Sequence, residues 1–294
     1  MTKPSSSPNS AAVSARSSSP PLVGARHERL ALRAGLALVA GAIHAAAFAP
    51  LNLWWLQPIA LAVLLYLACG WPPARSARRQ AALVGLSFGF GWFVTGVAWL
   101  FVSMHRYGGM PAPMAAAALV LFALYLGAFC GASLALAQPA LARAFHDLSA
   151  RATLHAALLF AACWGGGEML RGYLFTGFPW LSSGYAHGDG PLAALAPVAG
   201  VYGIGALAAS MAAGLALAAA RRRSVASGAF LGALGCVGVP LALAVALAPV
   251  HWAEDTGETL EVRLLQGNVP QQMKFDPERS LAAMQAYARA IRAA

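Results

Sequence analysis

Met114-Ala115-Ala116-Ala117-Ala118-Leu119-Val120-Leu121-Phe122-Ala123-Leu124-Tyr125-Leu126-Gly127-Ala128-Phe129-Cys130-Gly131-Ala132-Ser133-Leu134-Ala135-Leu136-Ala137 carries no charged side chain. A helix rises about 1.5 Å per residue, so this run reaches roughly 36 Å, enough to cross a hydrocarbon core of about 30 Å. Six other apolar runs lie at 30–47, 51–69, 81–103, 154–170, 192–219 and 227–250. The whole chain is 59% hydrophobic and 10% charged, with a mean hydropathy of +0.63; soluble domains carry about 25% charged residues. These runs predict an all-α polytopic membrane bundle of about seven transmembrane helices.

The basic residues test that placement independently, because cytoplasmic loops hold an excess of Lys and Arg. Lys3, Arg16, Arg26 and Arg29 precede the first run, Arg75, Arg78 and Arg79 follow the second, Arg143 and Arg151 the fourth, and Arg221, Arg222 and Arg223 the sixth. The alternate loops hold none after the first run, Arg106 after the third and Arg171 after the fifth. A cytoplasmic amino terminus and an outward-facing tail are therefore expected. The net charge of +10 is a topology signal with anionic headgroups as its partner, and nucleic acid is a poor match to it. Ala47-Phe48-Ala49 has the small-residue pattern of a signal cleavage site, but the leader would be unusually long and Pro50 would follow the cut.

Residues 1–29, rich in Ser, Pro and Ala, predict a disordered cytoplasmic arm; residues 30–250 form the transmembrane domain and 251–259 a polar linker. Beyond it, Leu260-Glu261-Val262-Arg263-Leu264-Leu265-Gln266-Gly267-Asn268 begins with the alternation of a half-buried strand. Asp276 and Pro277 then suit a helix start, and Leu281, Met284, Ala288 and Ile291 share one helical face. A strand, loop and helix is the first unit of an α/β layer fold and cannot bury itself alone. Residues 260–294 are expected to be the truncated start of an outward-facing α/β domain.

Before residue 251 the acidic residues are Glu28, Asp147, Glu168 and Asp189, and only Glu168 lies inside a predicted span. A mid-membrane carboxylate costs about 2.5–3.5 kcal/mol on insertion scales and needs a partner or a wet cavity. Arg171, three residues on, is a neighbour on the same helical face. The pair is either a structural ion pair or a holder of a lipid headgroup at a cleft. The loop after it supplies Phe178, Trp180 and Tyr185, and Trp99, His105 and Tyr107 fall on the same outer side. These residues read either as an interfacial aromatic belt or as the wall of a lipid-accessible cleft. No acid or nucleophile adjoins His105 in sequence, which argues against a catalytic base there.

Cys69, Cys130, Cys163 and Cys236 lie in or at the ends of apolar runs and read as buried small hydrophobes. No HxxxH or CxxC pair supports a metal site. Gly85 with Gly89, and Gly228 with Gly232, have the four-residue spacing that lets helix backbones approach in lipid.

Four segments together resemble the bacterial apolipoprotein N-acyltransferases. They are Phe48-Ala49-Pro50-Leu51-Asn52-Leu53-Trp54; Gly89-Phe90-Gly91-Trp92-Phe93-Val94-Thr95-Gly96-Val97-Ala98-Trp99-Leu100; Glu168-Met169-Leu170-Arg171-Gly172 with Gly177-Phe178-Pro179-Trp180; and Leu264-Leu265-Gln266-Gly267-Asn268-Val269-Pro270-Gln271. The resemblance implies an inner-membrane bundle carrying a periplasmic nitrilase-like domain. It implies acyl transfer from a phospholipid donor to the diacylglyceryl-cysteine of a lipoprotein, with no cofactor. In that family a cysteine thiolate takes the acyl group as a thioester, a glutamate is the base and a lysine stabilises the oxyanion. None of the three maps onto this sequence: Glu258, Glu261 and Glu278 precede the family's glutamate motif, Lys274 is in the first loop, and no cysteine follows Cys236. Catalytic residues are therefore expected beyond Ala294, and this chain is expected to be an amino-terminal fragment inactive alone. Phe275 stands where many members carry tryptophan, which keeps an aromatic wall but loses the indole N–H. The rival readings are a non-catalytic membrane scaffold or lipid-binding subunit that needs a catalytic partner, and a transporter. A transporter would show internal repeats or several intramembrane charges.

Overall fold

The computed structural model describes residues 22–70, 76–147, 149–220, 228–254, 257, 259–269 and 277–292. Among them the regular structure is helical, in chain order α1 (Leu22–His44), α2 (Leu56–Cys69), α3 (Ala77–Gly96), α4 (Trp99–Val102), α5 (Ala112–Ala144), α6 (Ala150–Tyr173), α7 (Ala196–Ala220), α8 (Gly228–Leu247) and α9 (Pro277–Arg292). The first 21 residues of the expected arm lie outside the described residues, as do Lys274, Phe275 and the expected helix cap Asp276. Helix α1 already begins at Leu22, earlier than the apolar run, so residues 22–29 of the expected arm are helical.

Each of the seven apolar runs carries a helix, but the helices differ in what they can span. Four are long and apolar enough to cross a membrane: Glu28–Ala47, Ala112–Ala144, Pro191–Ala220 and Gly228–Leu247. A fifth crossing arises if α3 and the segment Trp99–Tyr107, bent by 51° at the intervening break, are taken as one span. The bend falls at Val97, where α3 ends and a short helix with a π-turn at Ser103–Tyr107 begins. Helix α2 has 14 residues, about 21 Å, and is short of a full crossing by itself. Helix α6, with 24 residues, carries His155, Glu168 and Arg171 and is less apolar.

Helix α3 packs between α1 and α5, α6 bridges α5 to α7 and α8, and α2 lies on α7 and α1. The α3–α5 contact is a backbone seam. A Cβ added at Gly85 would lie 2.9 Å from the Gly131 Cα, and one at Gly89 would lie 2.6 Å from the Gly127 Cα. Without side chains at these four positions the two helices touch along their backbones, which maximises dispersion contact where lipid supplies no hydrophobic drive. Gly232 approaches Ala150 at the start of α6, as expected of its pair. Around the seam lie Phe88, Trp92, Phe93, Leu126, Leu134, Phe160 and Trp164, all buried.

Helix α2 ends at Cys69, and its last carbonyls are capped from α1. Arg33 Nε donates to the Leu67 carbonyl at 2.5 Å and Nη2 to the Ala68 carbonyl at 3.0 Å. A guanidinium satisfies orphan carbonyls and complements the negative end of the helix. All four cysteines are free thiols, with Cys69, Cys130 and Cys236 buried and Cys163 half-buried.

The expected strand at 260–265 is not formed. Residues 259–269 have no regular secondary structure, and Leu260 and Leu264 are 85% and 89% exposed. Alternation prepares one face for burial, but a ladder needs a neighbouring strand, and no strand occurs among the described residues. The expected helix does form, as α9, with Leu281, Met284 and Ile291 exposed along it. The Tyr287 hydroxyl accepts from the Gly267 N–H at 2.9 Å and ties α9 back to that segment.

Candidate functional site at the loop end of α6

Glu168 and Arg171 sit in the last turns of α6, and both are buried, Arg171 to 2% exposure. They are an i,i+3 pair at 3.9 Å between Arg171 Nη2 and Glu168 Oε1, too long for a hydrogen bond. Each side chain instead holds the loop that follows. Arg171 Nη1 donates to the carbonyls of Phe178 (2.6 Å) and Trp180 (2.9 Å), and Nη2 to Ser182 Oγ at 3.3 Å. Glu168 Oε1 accepts from the Ser183 N–H and hydroxyl, both at 2.8 Å. The indole N–H of Trp164 donates to the same hydroxyl at 3.0 Å. The other carboxylate oxygen, Oε2, has no hydrogen-bond partner among the described residues and lies against Gly205 of α7, where a Cβ would come within 2.7 Å of it.

This clamp holds a backbone that would not adopt its course unaided. Phe175, Thr176 and Leu181 have φ of 52°, 72° and 58°, and Gly177 has φ of 80°. Non-glycine residues pay for the left-handed region and persist there only when surroundings over-determine them. At Gly177 any Cβ would also run into the Gly172 carbonyl. The Phe178 N–H donates to the Arg171 carbonyl at 3.0 Å, so the loop folds back on the helix that emits it. Phe178 then meets Phe122 of α5 edge-on at 4.9 Å.

Aromatic rings extend the clamp into the bundle. The Arg171 guanidinium lies over the Phe93 ring at 5.0 Å, an attractive geometry for a cation. Phe93 stacks on Trp92 (4.5 Å), and Trp92 on Trp164 (6.2 Å, 8° between planes). Trp92 also meets His44 edge-on at 4.5 Å and Phe48 at 5.8 Å. On the surface Trp99 and Trp180 pair at 5.5 Å, each about half exposed.

Of the residues the sequence singled out, Trp99, Glu168, Arg171, Phe178 and Trp180 therefore come together. Tyr185 follows directly on the short helical turn Ser183–His187, with its side chain exposed. His105 and Tyr107 lie on the π-turn; the His105 Nδ1–H donates to the Met110 carbonyl at 2.8 Å and closes that turn, while Tyr107 is half-buried. Phe275 lies outside the described residues.

Sequence reasoning missed a second buried polar group beside the clamp. His187 Nε2 contacts Gln57 Oε1 at 3.2 Å, Trp54 lies 6.3 Å from the His187 ring, and His44 is within electrostatic reach. His187 is 1% exposed, and burial pulls its pKa from 6.5 down to about 4. It is neutral at pH 7 and joins the first turn of α2 to the 183–190 turn in that state. Because the folded value lies below the unfolded one, the unfolded chain binds the proton first as pH falls. Stability is full above pH 6.5 and declines until the folded value near 4 is passed. Between pH 7 and pH 5 the expected loss is about 2 kcal/mol, at 1.36 kcal/mol per pKa unit. Thermal melting of His187→Gln against the parent across that range measures it: the slope should flatten in the variant, and an unchanged slope would assign the pH response elsewhere.

The clamp thus joins two segments far apart in sequence, one in α3–α4 and one after α6, and the aromatic chain reaches a third at Phe48. The comparison with known proteins rests on the same stretch. The family model described as "Apolipoprotein N-acyltransferase N-terminal domain" matches residues 40–214. The chain belongs to this family. Among curated members, the apolipoprotein N-acyltransferase of Ralstonia nicotianae is 49% identical over 247 residues, 84% of this chain and 44% of the relative. That of Verminephrobacter eiseniae is 42% identical over 273 residues (88% and 48%), and that of Nitrosomonas europaea 40% over 261 residues (87% and 47%). The chain spans less than half the length of these apolipoprotein N-acyltransferases. Within the N-terminal domain of the family, the clamp and its aromatic chain lie inside the matched residues.

Proposed function

We propose that the chain is the membrane part of an apolipoprotein N-acyltransferase, serving transfer of an acyl chain from phospholipid to the amino-terminal diacylglyceryl-cysteine of lipoproteins. One observation carries the reading: a buried Glu168–Arg171 clamp fixes a loop that presents Trp180, paired with Trp99 of α4, and the exposed Phe175 and Tyr185 at one end of the bundle. Aromatic side chains suit the headgroup level of a bilayer, where both lipid substrates present their reacting groups. In this reading all seven apolar runs cross or enter the bacterial inner membrane, the amino terminus is cytoplasmic, and the clamp and tail face the periplasm. Residues 260–294 would open a nitrilase-like domain above the clamp. No residue of this chain is assigned to acyl transfer itself; these residues admit and orient lipid.

The test uses the purified 294-residue chain in phospholipid nanodiscs with a fluorescent diacylglyceryl-cysteine peptide. Saturable binding without N-acylation is expected, weakened about tenfold in Trp99→Ala/Trp180→Ala. Sustained N-acylation would overturn the assignment of chemistry to residues outside the chain. Failure to bind, or binding unaffected by the double substitution, would overturn the substrate-admitting role.

A further inference from the structure

A notch runs along α2 from Ile59 to Gly70 and opens at the end of the bundle away from the clamp. It lies between α2 and the last turns of α5 and α7, which end at Ala144 and Ala220. Between them opens a cavity of about 800 Å³, floored by Ile59, Val63 and Tyr66 of α2, walled by Ala216 and Ala219 of α7, and crossed by Phe145. That volume lies within the range of roughly 300–1,000 Å³ that suits a small ligand. Alanines on the α7 wall keep the space open, and Tyr66 meets Phe145 edge-on at 6.4 Å.

The mouth is polar. His146 lines both this cavity and an adjoining one shared with Arg143 and Asp147. The carboxylate of Asp147 faces the start of α6, where Oδ1 accepts the Ser149 N–H at 2.8 Å. Beneath the floor the Arg33 guanidinium sits on the Leu67 carbonyl, and Leu67 itself lines the cavity. Arg143 and His146 thus stand beside one engaged carboxylate, at the end of the bundle where the basic loops lie. An apolar floor beside Arg143 and the basic loops matches the two ends of an anionic phospholipid, and basic pockets between membrane helices hold such headgroups.

We propose that this notch is a binding site for one anionic phospholipid of the adjacent leaflet, its acyl chain lying along α2 and α7 and its phosphate between Arg143 and His146. The inference rests on the membrane reading of the chain and not on its acyltransferase reading. The lipid fills the space between α2 and α7, and it is distinct in place from any lipid at the clamp.

Native mass spectrometry of the full chain in mild detergent, titrated with phosphatidylglycerol or phosphatidylcholine, tests the site. One phosphatidylglycerol per chain is expected, held several-fold more tightly than phosphatidylcholine. Ala219→Trp, on an exposed wall position, fills the notch and should weaken binding at least tenfold, whereas Leu158→Trp, on the exposed side of α6, should not. Arg143→Gln, a surface change that leaves packing intact, should abolish the preference for phosphatidylglycerol. Equal binding by the parent and Ala219→Trp overturns the proposal, as does a preference that survives Arg143→Gln. A dimer that Ala219→Trp disperses overturns it too, because the occupant would then be a second copy of the chain.

Discussion

Arg171→Leu is expected to destabilise the protein by about 3–5 kcal/mol, the range for removing one partner of a buried pair. The loss has two sources. Glu168 would remain buried with its countercharge gone, and the Phe178 and Trp180 carbonyls would lose their donors. Phe175, Thr176 and Leu181 would then have less to hold them in the left-handed region, so the loop should become accessible to protease at Phe175 and Tyr173. The double variant Glu168→Leu/Arg171→Leu separates the two sources. It removes the stranded charge and should regain part of the stability, but the loop should stay open. A single variant as stable as the parent in chemical unfolding would mean that the clamp carries no structural weight. A double variant with a protected loop would show that the left-handed turns hold themselves.

Gly89→Leu is expected to cost about 3 kcal/mol, at the upper end of the range for overpacking. The obstruction is backbone: a Cβ at Gly89 already falls 2.6 Å from the Gly127 Cα, and the remaining leucine atoms have nowhere to go between α3 and α5. A rotamer change cannot relieve contact with a neighbouring main chain, so the helices must separate. Because Phe93 of α3 lies under Arg171, separation should also disturb the clamp. Gly238→Leu in α8 is the control, since nothing lies within 4 Å of a Cβ there, and it should be near neutral. Unfolding midpoints in detergent measure both, and similar losses in the two variants would refute the seam.

How much of this was written in the sequence varies with the physics of each feature. Helix positions follow from apolar run length, which depends only on local composition, so every run carries a helix. Their spanning capacity was less legible: the run at 51–69 includes Leu51 and Leu53, yet the helix begins only at Leu56, after a turn that includes Asn52 at φ 52°. Gly85 and Gly89 announced a close contact, but identifying Gly127 and Gly131 as the facing pair required knowing which helix lies opposite. The Glu168–Arg171 pairing was legible from its three-residue spacing. Its role was not, because the bonds to Ser182 and Ser183 depend on consecutive left-handed residues that composition does not encode. The His187–Gln57 contact joins residues 130 apart and has no spacing signal. The strand at 260–265 is the converse case: its alternation was real, but a strand is completed by a neighbour.

Arg33 has a consequence for biogenesis. It lies within the α1 span, and among its hydrogen-bond acceptors are the Leu67 and Ala68 carbonyls at the far end of α2. When α1 first leaves the ribosome those two carbonyls have not yet been synthesised. Near the start of the span, Arg33 is then expected to snorkel toward the adjacent headgroups. Arrival of α2 lets the guanidinium turn inward onto the helix end, so the cap should close only as α1 and α2 come together.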